Sequence, residues 1–283
     1  MDYIEVSITL APFRPFNEIV VAQLGEMPFD SFTEDDDYSI VKAYILEDDY
    51  IAADVQNAFD QFEGLVEIFF TAKKIEKVNW NQQWEENFEA VEVGSFCYVR
   101  APFHNEKANF LHEIIIEPKM SFGTGHHQTT KIMIELMEGI DFKGKSVLDM
   151  GSGTGILAIL GKKMQAGKVD AVDIEEWAFE NMQENFQRNN TEIAAYYGGE
   201  EVMSSIGMQY DVIIANINKN ILLSQFDTYN AHLKKGGLLL LSGFYVTDAD
   251  DLIAAKELAG YTLIDKLEKE TWCGLKFQKH DKD

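Results

Sequence analysis

The sequence predicts an α/β protein in two parts: a small α+β unit over residues 1–75, then a doubly wound parallel sheet over 118–283. Two patterns predict this. From about residue 120, short apolar segments of strand type alternate with amphipathic helical segments, the order that builds right-handed crossovers onto a parallel sheet. Before residue 75 the order is strand, helix, strands, helix, strand, which matches a ferredoxin-like sandwich. A chain of 283 residues accommodates both parts.

Each element has its own signal. Tyr3, Ile4, Val6, Ile8 and Leu10 place a strand over 2–10. Pro15 suits a helix start, and the apolar spacing from Phe16 to Leu24 continues it. A strand over 39–46, an amphipathic helix over 51–62 and an apolar strand over 65–70 complete the first unit. Residues 76–117 read as a connecting region with two strand-like stretches, 96–101 and 112–117. Trp80 and Trp84, at helical spacing, are expected to pack a helix against a domain face. The second part then alternates strand 146–150, helix 156–165, strand 168–173, helix 178–189, strand 210–215, helix 221–233, strand 237–242 and helix 249–258. Strands 261–266 and 275–279, with no helix between them, are expected to form a closing antiparallel hairpin.

Composition narrows the function. Twenty-four basic residues against 48 acidic ones give a net charge of −24. Such a chain is repelled by nucleic acid and by anionic membranes, so direct nucleic-acid binding is not expected. Residues 1–72 are the most acidic, with 16 Asp or Glu against Arg14 and Lys42. The runs Glu34-Asp35-Asp36-Asp37 and Glu47-Asp48-Asp49 read as solvated loops or as a docking surface for a basic protein. Cys97 and Cys273 cannot build a disulfide framework and no CxxC spacing offers a metal site. A reducing, cytoplasmic setting and a monomer are expected, with no signal peptide and no membrane span.

The chemistry concentrates in two segments. The first is Val147-Leu148-Asp149-Met150-Gly151-Ser152-Gly153-Thr154-Gly155, between a buried strand and a helix. Glycines there permit a tight turn and a close backbone approach to a ligand, and the helix adds its positive end. Asp173, at the end of the next strand, is placed to accept hydrogen bonds from a ribose diol. Gly153, Gly155 and Ala158 also satisfy G-x-G-x-x-A, which keeps a nicotinamide dinucleotide and an oxidoreductase open. Three features favour S-adenosylmethionine. Asp149 gives a D-x-G-x-G-x-G form, a helix from about Thr130 precedes the unit, and Asn216 puts a carboxamide at a strand's carboxyl end.

The second segment is Pro118-Lys119-Met120-Ser121-Phe122-Gly123-Thr124-Gly125-His126-His127-Gln128-Thr129-Thr130. Thr129 or Thr130 is expected to cap the following helix and offer a hydroxyl to an anionic group. Two adjacent histidines without neighbouring carboxylates do not make a metal site.

Together these segments resemble the PrmA family, methyltransferases of the large-subunit ribosomal protein L11. The matching stretches are FGTGHHQTT (122–130), VLDMGSGTGILAI (147–159), DIEEWAFENMQEN (173–185), ANINKNIL (215–222) and LKKGGLLLLSGF (233–244), with a late Glu270-Thr271-Trp272-Cys273. The chain departs from the family pattern at His126 and Gln128, where Thr and Pro are usual, and at Glu175-Glu176, where Asp-Pro is common. The resemblance implies a seven-stranded, Rossmann-like methyltransferase domain behind a ferredoxin-like substrate-recognition domain. It implies methyl transfer from S-adenosylmethionine to lysine or N-terminal amines of a basic ribosomal protein. Carried over by position, it implies that Thr130 reaches the methionyl part, Gly151 meets the cofactor through its backbone and Asp173 binds the ribose. Asn216, the catalytic candidate, would lie beside the methyl group and the incoming amine. Asp149 and Gly153 are implied neighbours, and Glu200 is placed either near the adenine or in solvent. A methyltransferase for another substrate and a non-catalytic binding module remain the other readings.

Overall fold

The structure, a computed structural model, describes residues 2–35, 39–75, 88–118, 125–255 and 258–281. The chain divides into two compact units, 1–87 and 88–283. Trp80, Trp84, Asp36, Asp37 and Phe122 to Thr124 lie outside the described residues.

The first unit runs β1 (Tyr3–Ala11), α1 (Phe16–Leu24), β2 (Phe29–Glu34), β3 (Ile40–Leu46), α2 (Ala52–Asp60) and β4 (Glu67–Ile75). Its sheet has the order β2-β3-β1-β4, and every neighbouring pair is antiparallel. Alternation explains its single buried face. Ile4, Val6, Ile8 and Leu10 of β1 pack with Val20 and Leu24 of α1 and Val55 and Phe59 of α2. Asp35 of the acidic run bonds the start of β3, accepting from Ser39 N and Oγ at 2.6 Å each and from Ile40 N at 2.8 Å. Those bonds hold its carboxyl below the usual range.

The second unit opens with β5 (Val91–Val93), β6 (Cys97–Arg100) and β7 (His112–Ile115), which form a three-stranded sheet. Residues 88–118 therefore belong with the second unit rather than to a connector between the two. There follow α3 (Gln128–Met137), β8 (Ser146–Met150), α4 (Ile156–Lys163), β9 (Lys168–Asp173), α5 (Glu176–Arg188), β10 (Ala194–Tyr197), α6 (Glu201–Ile206) and β11 (Tyr210–Asn216). The unit ends with α7 (Lys219–His232), β12 (Leu233–Tyr245), α8 (Ala249–Ile253), β13 (Tyr261–Lys269) and β14 (Trp272–Lys279).

Seven strands form the main sheet in the order β10-β9-β8-β11-β12-β14-β13. The first five are parallel, and β14 runs antiparallel to both β12 and β13. Strand β8 is buried along its whole length. Val147 belongs to the core on one face, with Ile132, Leu157 and Phe186, and Leu148 to the core on the other, with Leu222, Phe226 and Leu239. That double cover explains the nearly continuous apolar strands. A dinucleotide-binding sheet has the order 3-2-1-4-5-6. The antiparallel β14, inserted between β12 and β13, departs from it.

The chain leaves β8 toward β9 and β10 on one side, then returns to β11 on the other. Open α/β sheets bind ligands at the carboxyl ends of the strands beside such a reversal.

Candidate active site at the carboxyl edge of the sheet

A cavity of about 490 Å³ opens where β8, β9 and β11 end, at Met150, Asp173 and Asn216. Five of the residues expected in a site line it: Thr130, Gly151, Gly153, Asp173 and Asn216. His127, Gly198, Gly199, Gln225 and Trp272 complete much of the wall.

The turn after β8 carries Gly151 and Gly153 at φ +69° and +57°, a conformation that costs other L-residues about 1–2 kcal/mol. A Cβ on Gly151 would lie 2.2 Å from Ile217 Cγ2. Only glycine lets the segment after β11 close over the turn. The Gly151 and Ser152 amides donate to the Val172 carbonyl at 2.9 and 3.1 Å, which ties the turn to β9.

Two carboxylates hold this turn from different sides. Asp149 is 1% exposed and does not line the cavity. Its Oδ2 accepts from Ser152 Oγ at 2.6 Å and from the Ala158 amide at 3.1 Å. Burial pushes its carboxyl up to about 7, against the pull of those two bonds. The structure therefore places Asp149 behind the glycine turn, as its anchor, rather than among the groups facing a ligand. Asp173 faces the cavity. Its Oδ2 accepts from the Gly153 amide at 2.8 Å and its Oδ1 from the Glu175 amide at 3.0 Å. Each oxygen keeps a second lone pair for a ligand donor.

Thr130 sits in the first turn of α3, but neither Thr129 nor Thr130 caps that helix. The cap is His127, whose Nδ1 accepts from the Thr129 amide at 3.3 Å and pairs with Thr129 Oγ1 at 2.8 Å. Burial lowers the pKa of His127, opposed by the charge of Glu270, and a neutral ring is what an accepting Nδ1 requires. The His127 ring meets Trp272 at 4.6 Å and 69°. Trp272 stacks on Tyr245 at 4.4 Å. This aromatic wall joins residues some 145 positions apart, and the one sequence signal for it was the late Trp272.

The departures His126 and Gln128 each make a bond of their own. His126 Nε2 pairs with the Glu89 carbonyl at 2.7 Å and its ring meets Phe88 at 4.6 Å. Gln128 Nε2 donates to Glu270 Oε1 at 2.6 Å. Glu200 does not line the cavity; its carboxylate accepts from Thr228 Oγ1 at 2.6 Å.

Two oxygens of the site, Thr130 Oγ1 and Asn216 Oδ1, are buried with no hydrogen-bond partner among the described residues. A buried polar atom without a partner costs about 1–3 kcal/mol. Both lie in the wall of a cavity that also presents a carboxylate and a glycine turn. The combination suits a ligand carrying polar groups at three separated points.

A family model described as ribosomal protein L11 methyltransferase (PrmA) matches residues 20–280. The ribosomal protein L11 methyltransferase of Porphyromonas gingivalis is 40% identical over 263 residues, covering 92% of this chain and 90% of its own length. That of Phocaeicola vulgatus is 37% identical over 282 residues, covering 98% and 99%. The crystal structure of a ribosomal protein L11 methylase from Lactobacillus delbrueckii subsp. bulgaricus superposes with a TM-score of 0.62 at 24% identity, covering 68% of this chain and all of that one. The fold is that of an α/β methyltransferase, and the chain belongs to the ribosomal protein L11 methyltransferase family.

Proposed function

We propose that this chain transfers methyl groups from S-adenosylmethionine to lysine or N-terminal amines of ribosomal protein L11. The observation that carries the reading is the pair of unpartnered buried oxygens, Thr130 Oγ1 and Asn216 Oδ1, in one cavity with Asp173. Relatives of that name, covering nearly the whole chain, support the substrate.

The residues present fit the cofactor. Asp173 would accept from ribose hydroxyls, Thr130 would meet the methionyl part, and Gly151 and Gly153 would pass it along bare backbone. When bound, S-adenosylmethionine supplies a methyl group made electrophilic by its sulfonium. The protein must then deliver a neutral amine. A lysine with a pKa of about 10.4 needs roughly 4–5 kcal/mol to be held neutral at pH 7, and burial in the cavity lowers that pKa. Asn216 Oδ1 accepts an N–H of the amine, which leaves the nitrogen lone pair free and aimed. Orientation of this kind reaches effective molarities of about 10⁵–10⁸ M.

The first unit would select the substrate. Its strand order, with β4-β1-β3-β2 all antiparallel, supports reading residues 1–75 as a ferredoxin-like domain. Its excess of acid suits a basic protein. Incubation with labelled S-adenosylmethionine and purified L11, followed by mass spectrometry, tests the proposal. Label on L11 amines is expected; label on RNA or on no protein would overturn it.

A further inference from the structure

Glu270 stands at φ +54°, in the two-residue turn between β13 and β14. The left-handed region is uncommon for residues other than glycine, asparagine and aspartate, and hairpin turns that need it usually hold glycine. Non-glycine residues persist there when their surroundings over-determine them, and such positions cluster at functional sites. Among the described residues, Glu270 is tied to α3 by its side chain: its Oε1 accepts from Gln128 Nε2 at 2.6 Å. Gln128 is the first residue of α3. Its neighbour His127 feels the Glu270 charge and packs on Trp272, two residues beyond Glu270.

We propose that Gln128 and Glu270 are positioning residues. Their hydrogen bond fastens the start of α3, which carries His127 and Thr130, to the hairpin turn that carries Trp272, and so sets the width of the cavity between two wall segments. Neither side chain lines the cavity itself; they act through His127, Thr130 and Trp272, which do. A glycine at position 270 fits the turn better than glutamate does, and the strain is retained for the sake of the tie. A proline in place of Gln128 would hold the helix start by fixing φ, but would make no link to the hairpin.

The inference rests on the cofactor reading, and the test separates the two. S-adenosylhomocysteine is titrated into the full-length protein by calorimetry, and thermal unfolding is followed in parallel. Glu270→Gly removes the tie and relieves the backbone. Its melting temperature is expected to equal or exceed that of the wild type, while S-adenosylhomocysteine binds about three- to tenfold more weakly. A purely structural role moves stability and affinity together. Gln128→Glu sets two carboxylates against each other and is expected to weaken binding at least as much. The exchanged pair Q128E/E270Q restores an amide facing a carboxylate and is expected to recover wild-type affinity. Glu270→Gly binding as tightly as a wild type that binds well overturns the brace and leaves the cofactor reading intact. Weakened binding in Glu270→Gly without recovery in the exchanged pair overturns the brace as well. A wild type that does not bind S-adenosylhomocysteine overturns the cofactor reading and this inference with it.

Discussion

Replacing Asp173 by alanine tests the centre of the proposed site, and the structure sets the size of the effect. Both carboxylate oxygens already accept backbone amides, from Gly153 at 2.8 Å and Glu175 at 3.0 Å. The residue also lines the cavity. Alanine therefore does two things. It strands two amides, of which water entering the emptied space satisfies part, for a net loss of stability of about 1–3 kcal/mol. It also removes the proposed acceptor for the ribose, and hydrogen bonds to a charged partner contribute about 1.5–3 kcal/mol, or roughly 10–150-fold in affinity. The fold should survive with a lowered melting temperature, and S-adenosylhomocysteine affinity measured by calorimetry should fall within that range. Asp149→Ala is the control, because it loosens the same turn from behind without touching the cavity. It should weaken binding less than Asp173→Ala. Unchanged affinity in folded Asp173→Ala, or equal losses in the two variants, would refute direct contact by Asp173.

Other variants test the neighbouring claims. Asp149→Asn keeps an oxygen where Ser152 Oγ and the Ala158 amide both bond Oδ2, so affinity should stay near that of the wild type. Because burial raises the folded-state carboxyl from 3.8 to about 7, its stabilising contribution is complete below pH 3.8 and lost as pH rises through 7. Denaturant titrations should show the wild type losing up to about 4 kcal/mol relative to Asp149→Asn across that window; parallel pH profiles would contradict the assignment. Asn216→Ala should reduce turnover on L11 more than S-adenosylhomocysteine affinity, since orienting the amine acts on the transition state; loss of affinity with turnover intact would reverse that role. Gly151→Ala should cost at least the 1–2 kcal/mol of a left-handed alanine and weaken binding further, because its Cβ meets Ile217; a binding isotherm like the wild type's would contradict the close approach. Neutralising Asp48 and Asp49, which are exposed, should raise the KM for L11 modestly at low salt and less at high salt; a salt-independent KM would confine that triplet to solubility.

What could be read from the sequence follows from burial. Strands β8 and β9 fall at their expected residues, and β11 ends one residue later than expected, because each is an apolar run covered on both faces. Strand β2 gives little signal of its own. It is an edge strand with one buried residue, Phe29, so FDSFTE shows no clean alternation. Strand β12 starts at Leu233 rather than 237, since Gly236 at φ +72° lets the chain bend through Lys234 to Gly237 without leaving the sheet. The cap of α3 is hidden from the sequence for a related reason. A threonine at a helix start is the commoner cap, and nothing local reveals that the His127 ring packs against Trp272, far along the chain.

The two acids of the site show where local pattern stops informing. Asp149 and Asp173 each lie within one residue of the end of a buried strand of the same sheet, and each strand is followed by a turn, so spacing alone treats both as ligand contacts. Their strands end differently. Asp173 is the last residue of β9, and the chain then turns outward at Ile174, which is 67% exposed. The carboxylate is left at the open edge. Asp149 is one residue short of the end of β8. The glycine turn folds back across it, and α4 brings the Ala158 amide onto the same oxygen that binds Ser152. One acid thus holds the turn from behind, and the other holds it from the cavity side. The difference of a single position from the strand end separates an anchor behind the turn from a carboxylate in the cavity wall, and the proposed contact predicts that loss of the first is felt through pH and stability and loss of the second in affinity.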